Sequence, residues 1–231
     1  MNTFYGGDYY EDKSEIFRGQ LNKTYGVMAL GLTLTFISAI LTAWLAPAIV
    51  LSFPLAMILL VAQVITVIAF SSSLYRARFS TVLAMFVGYS ILSGVSISYI
   101  FLIYDVKNIF LCFAAAALCF AIPAILGHST RKDLSGLGKY FLVGLIGVLL
   151  LSLVSFFIGS TTFEIIIACL GLVLFLGITA YDTQRLRRFA EQYSNGDEMG
   201  RKIAVYFAMQ LYLDFINIFL YMLRLFGRSR D

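Results

Sequence analysis

The chain has 231 residues, 60% of them hydrophobic and only 13% charged, about half the ~25% charge of an ordinary soluble domain. A mean hydropathy of +0.88 is more apolar surface than a soluble domain of this length can hide, so a polytopic membrane protein is the class. The net charge of +4 is modest and the basic residues sit in loops beside apolar runs; that pattern speaks of membrane orientation and against a nucleic-acid partner.

The first residues, Met1 to Thr24, are polar and acidic (Asp8, Glu11, Asp12, Glu15) and lack the apolar core of a cleavable signal peptide. They read as a cytoplasmic lead segment, with residues 25–231 forming one transmembrane domain. A helix rising ~1.5 Å per residue crosses a ~30 Å hydrocarbon core in roughly 20 residues. Windows of that size predict seven spans: Tyr25–Ala46, Pro54–Ser73, Phe79–Ile103, Ile109–Leu126, Tyr140–Ile158, Phe163–Gln184 and Ile203–Leu225. The connections are short. The longest runs from Arg185 to Lys202 and contains the turn signal Asn195-Gly196-Asp197, so the sixth helix is expected to continue past the hydrocarbon.

Lys and Arg fall in alternate loops. They occupy the lead segment (Lys13, Arg18, Lys23) and the second, fourth and sixth connections, whereas the third carries only Lys107 and the first and fifth none. The positive-inside rule places the amino terminus in the cytoplasm, and seven crossings then leave the carboxyl terminus outside. A re-entrant last segment would return Arg224, Arg228 and Arg230 to the cytoplasm, but Ile203–Leu225 is long and uninterrupted by Gly or Pro. Glycines in the spans (Gly26, Gly31, Gly88, Gly94, Gly144, Gly147, Gly171, Gly177) read as close helix packing. Pro47, Pro54 and Pro123 fall at or near span ends, where a missing donor is tolerated. Cys112, Cys119 and Cys169 lie in apolar runs and read as buried thiols, neither disulfide nor zinc site. His128 reads as an interfacial residue, Gln63 as a cross-helix hydrogen bond, and Glu164 as an acid favouring the start of helix six.

The chemistry gathers on two acids. Asp214 is the only acid in the last apolar run, and a carboxylate at mid-helix costs about 2.5–3.5 kcal/mol on insertion scales. Its nearest candidate partner is Asp182, near the end of the sixth run, because the two helices form an antiparallel hairpin that brings both acids to similar depth. Two carboxyl groups in contact cannot both ionise and so share one proton. Doubly ionised, they would repel, open the hairpin and offer hard oxygen ligands suited to Ca²⁺. Gln210 and Asn217, at i−4 and i+3 from Asp214, extend a polar strip along that helix. Tyr181, Thr183 and Gln184 are placed to donate hydrogen bonds to Asp182. Arg76 and Arg78, after the second span, are candidates for a latching cation.

Three stretches carry a family likeness: Gly177-Ile178-Thr179-Ala180-Tyr181-Asp182-Thr183-Gln184, Leu211-Tyr212-Leu213-Asp214-Phe215-Ile216-Asn217-Ile218-Phe219-Leu220, and Leu223-Arg224-Leu225-Phe226-Gly227. They resemble the Bax inhibitor-1 family (TMBIM-like membrane proteins), most closely its bacterial members. Arg131-Lys132-Asp133-Leu134-Ser135 is similar to that family's basic-Asp-Leu-Ser loop. The resemblance implies an all-α, seven-helix fold with the last helix central, in a bacterial plasma membrane. It also implies a pH-sensitive calcium leak gated by two aspartates, which map onto Asp182 and Asp214. A second-helix Arg that ties to them in the closed state maps onto Arg76, with Arg78 the rival.

Two readings compete with that leak channel. One is a non-conducting regulator bound to another membrane protein, such as a protease or stress factor. The other is an intramembrane aspartyl protease, which also needs two aspartates. There is no P-loop, dinucleotide-binding motif, His-Glu-x-x-His or Ser/His/Asp set, so no enzymatic activity and no cofactor are expected, with Ca²⁺ only as a permeant ion.

Overall fold

The computed structural model describes residues 5–47, 52–193 and 197–227, with side chains from residue 17 onward except residue 156. Among the described residues the chain is all helical, and seven helices are long and apolar enough to cross a membrane. They are α1 (Tyr5–Leu45), α2 (Phe53–Ser73), α3 (Phe79–Ile97), α4 (Val106–Ser129), α5 (Gly138–Ile158), α6 (Thr161–Ala190) and α7 (Glu198–Phe226). The carboxyl-terminal tail beyond Gly227 and the Asn195-Gly196 turn signal lie outside the described residues.

Each predicted span is found, most of them lengthened at polar ends that a hydropathy window cannot see. The polar lead segment is no separate element, because α1 starts at Tyr5 and runs on into the first span. α6 continues six residues past the predicted Gln184 to Ala190, as the long linker with its late turn signal led us to expect. The third span divides instead of lengthening. α3 ends at Ile97 and a one-turn helix, Ile100–Ile103, completes it. At the break the Ser98 hydroxyl donates to the Val95 carbonyl at 2.7 Å, competing with the helix's own backbone bonding. Pro123 corrects the expectation for prolines: it sits inside α4 because that helix runs on to Ser129. α5 stops where Gly159 takes φ +65° and its N–H caps the Ser155 carbonyl at 3.0 Å.

Two compact units are defined by packing: Met1–Leu102 with Leu186–Gln210, and Ile103–Arg185 with Leu211–Asp231. In the first, α1 and α3 approach closely through small residues. A Cβ on Gly94 would overlap the Thr35 carbonyl and the Ser38 hydroxyl, and one on Gly31 would strike Phe86. Thr35 Oγ1 lies 2.9 Å from both the Gly31 and the Ser90 carbonyls. Gln63 of α2 donates to Ser96 Oγ at 2.9 Å, the cross-helix bond expected of it. In the second unit, Phe113 and Phe120 of α4 meet Phe215 of α7 edge to face, and the Phe175 and Tyr221 rings pack at 5.9 Å. Gly127, Gly144, Gly171 and Gly177 each leave room for a neighbour there, whereas Gly26, Gly88 and Gly147 face open space and serve no close approach.

α7 is the most enclosed helix: 72% of its apolar window is buried, against at most 39% in any other span. This is the helix that the family resemblance makes central. α2 and α5 lie at the other extreme, with 6% buried, and their exposed Ile58, Val61, Ile65, Leu142, Ile146 and Leu149 are surfaces for lipid. Cys112 is buried, but Cys169 is exposed, correcting the expectation that all three thiols are enclosed.

Candidate functional site

α6 buries one stripe through Phe175, Thr179, Asp182 with Thr183, Leu186 and Ala190, residues spaced three and four apart. A carboxyl group inside that stripe must find its compensation within the protein. Asp182 is 4% exposed and Asp214, on α7, 3%. The two acids stand within Coulombic reach of each other. The structure therefore brings together the two residues that the sequence singled out.

The surroundings of Asp214 are poor in donors. Its Oδ2 is buried and receives no hydrogen bond among the described residues. The Thr179 hydroxyl reaches its carboxyl group, yet that hydroxyl also donates to the Phe175 carbonyl at 2.7 Å. A hydroxyl has one proton, so while it serves Phe175 only its lone pairs face the acid. At Oδ2 an ionised Asp214 has no donor among the described residues, whereas a protonated one could donate to Thr179 or to Asp182.

Asp182 has a cation, and it comes from its own helix. Arg185 Nη1 lies 3.4 Å from Asp182 Oδ1, longer than the ~2.7–2.9 Å of a tight charge-assisted bond. The same guanidinium sits over the Tyr181 ring at 5.5 Å, and its side chain is a third exposed. Arg76, proposed from the sequence as the latch, is exposed at the end of the second span and makes no ion pair among the described residues, as does Arg78. Sequence reasoning missed Arg185 because it counted that residue only as an orientation signal, although its i+3 spacing from Asp182 was visible.

The expected donors to Asp182 turn elsewhere. Gln184 Nε2 donates to the Lys132 carbonyl at 2.7 Å and its Oε1 accepts the Leu134 N–H at 2.8 Å. Thr183 gives its proton to the Thr179 carbonyl at 2.7 Å. The Tyr181 ring packs edge to face on Phe141, and its hydroxyl fills the space left by Gly138. Asn217 bonds back to the Leu213 carbonyl at 2.8 Å, and Gln210 is half-buried on α7. What the sequence read as a polar shell around one acid is, in the case of Gln184, a clamp on the Arg131–Ser135 loop. That loop is further shaped by Asp133, whose carboxylate accepts the Ser135 N–H at 2.8 Å. Gly127 brings α4 against α6 just before Asp182; a Cβ there would overlap the Ala180 carbonyl.

The comparisons with known proteins agree with this architecture. The family model described as "Inhibitor of apoptosis-promoting Bax1" matches residues 18–231. The chain belongs to the Bax inhibitor-1 family. The inner membrane protein YbhL of Escherichia coli K12 is 36% identical over 212 residues, covering 90% of this chain and 91% of YbhL. An uncharacterized protein of Borreliella burgdorferi is 35% identical over 229 residues, covering 97% and 99% of the two chains. This family member is thus a multi-pass membrane protein. Among its described residues no group of three or more His, Cys, Asp or Glu side chains gathers as a metal site. Ca²⁺ takes 6–8 oxygen ligands, so a cation meeting Asp182 and Asp214 would keep much of its water.

Proposed function

We propose that this family member is a pH-sensitive cation leak pathway, with Ca²⁺ as the permeant ion and the Asp182–Asp214 pair as its gate. One observation carries the reading: two acids buried within Coulombic reach of each other, one having a buried carboxyl oxygen to which nothing donates among the described residues. A proton held between the acids supplies the missing donor and removes the repulsion. Losing that proton puts two negative charges in a low-dielectric setting, where they repel strongly. The helices carrying them separate, and the freed carboxylates attract a partly hydrated cation. Arg185 shields Asp182 in the closed state. In the cell this places the protein in a bacterial plasma membrane, with its Arg-rich connections on the cytoplasmic side.

The test is Ca²⁺ flux into liposomes holding the purified full-length protein, measured at steps from pH 5.5 to 8. Flux should rise with pH in the parent, and Asp182→Asn and Asp214→Asn should flatten that dependence. Equal pH responses in parent and both variants, each shown to be folded and inserted, would remove the gate.

A further inference from the structure

The α2–α3 connection and the first turn of α7 are stitched together by polar contacts. Lys202 Nζ donates to the Ala77 carbonyl at 3.2 Å. Glu198 Oε1 accepts the Phe79 N–H at 3.1 Å, supplying the cap that Arg78, at the helix N-cap, does not provide with its own side chain. The Arg201 guanidinium lies over the Phe79 ring at 5.1 Å. Gln20 of α1 secures the same turn of α7 by donating to the Gly200 carbonyl at 2.6 Å.

These contacts gather Arg76, Arg78, Arg201 and Lys202 at one end of the spans, with Glu198 as the acid among them. Lys202 is buried and held by its carbonyl. Arg76, Arg78 and Arg201 are exposed and make no ion pair among the described residues. Three exposed guanidinium groups on a loop and helix turn fixed in this way offer planar, multidentate donors to an anion.

The source of the anion follows from what leads up to the site. α2 presents an exposed apolar stripe through Ile58, Val61, Ile65 and Ile68, spaced three and four apart so that they share one face. The helix ends at Ser73, and after the buried Leu74 come Tyr75, 70% exposed, and Arg76. An apolar track, an aromatic at its end and then a basic cluster match the order of acyl chain, glycerol and phosphate in a membrane lipid. A soluble phosphate would have no use for the track.

We propose that this end of α2, with the first turn of α7, binds an anionic glycerophospholipid, its phosphate on Arg76, Arg78 and Arg201 and its acyl chain along Ile58–Ile68. The experiment is native mass spectrometry of the full-length protein in mild detergent, titrated with phosphatidylglycerol or phosphatidylcholine. The parent should retain one phosphatidylglycerol at a concentration at least tenfold lower than phosphatidylcholine. Millimolar inorganic phosphate should not displace it. Arg76→Gln/Arg78→Gln/Arg201→Gln should lose the preference, while Lys107→Gln/Arg131→Gln/Lys139→Gln, which removes the same charge elsewhere, should keep it. Equal retention of both lipids by the parent, displacement by phosphate, or an undiminished preference in the first triple variant would each overturn the assignment. Because lipid retention is read without ion flux, failure of the leak model would leave this result untouched.

Discussion

Gln184→Leu isolates the clamp between α6 and the loop before α5. The wild-type amide makes two hydrogen bonds to loop backbone, at 2.7 Å to the Lys132 carbonyl and 2.8 Å to the Leu134 N–H. A net hydrogen bond contributes about 0.5–1.5 kcal/mol. Lys132 is exposed and Leu134 half-buried, so water can replace the lost partners and each loss falls at the low end of that range. Leucine is close to glutamine in volume, so packing around the buried side chain changes little. The clamp therefore holds the loop shut by about 1–2 kcal/mol, equivalent to roughly 5–30-fold in local opening. Amide hydrogen exchange of the protein in nanodiscs measures this directly. The Leu134 amide should exchange faster by that factor in the variant, while amides in the middle of α4 and α7 stay unchanged. If Leu134 exchanged at the parental rate, the two bonds would carry no load and the loop would be held by something else. Faster exchange along all of α6 would instead mean that the substitution had loosened the helix.

Further predictions concern the acids and the glycines. Asp182→Asn/Asp214→Asn should flatten the pH dependence of Ca²⁺ flux no more than either single change, because the two groups titrate as a unit. Arg185→Gln removes the cation 3.4 Å from Asp182, so the pair keeps its proton to higher pH. The flux midpoint should accordingly move upward on the pH axis, and an unmoved or lowered midpoint would contradict the role given to Arg185. Gly127→Ala gains about 1 kcal/mol of helix propensity but drives a Cβ into the Ala180 carbonyl, which as backbone cannot rotate away. Set against an overpacking cost of about 1–3 kcal/mol, that leaves a net loss of up to about 2 kcal/mol. Gly88→Ala meets no atom within 4 Å, and the same propensity should make it neutral or stabilising by up to ~1 kcal/mol. Denaturant titration of the two variants in detergent should give these opposite signs.

The spans were legible because hydrocarbon admits only helices with satisfied backbones and apolar side chains, a constraint that acts on sequence one window at a time. Asp214 could be picked out for the same reason, as a single acid in an otherwise apolar run. The partnership with Asp182 was also readable, since a hairpin brings acids at similar depth near each other. Gln184 was not, because its type and position suited a bond to Asp182 as well as the bond it makes to a loop 50 residues earlier. Gly127 and Gly88 are alike as letters, and only their neighbours separate the one that admits α6 from the one that admits nothing.

Sequence alone thus determined the class, the seven apolar spans and the two acids, because each follows from the cost of placing a given side chain in lipid. Tertiary structure alone decided that Arg185 is the cation held against Asp182, that Asp214 keeps an oxygen without a donor among the described residues, and that Gln184 binds a loop. Those outcomes depend on which of several chemically adequate partners arrives within about 3 Å, a distance set by the packing of whole helices.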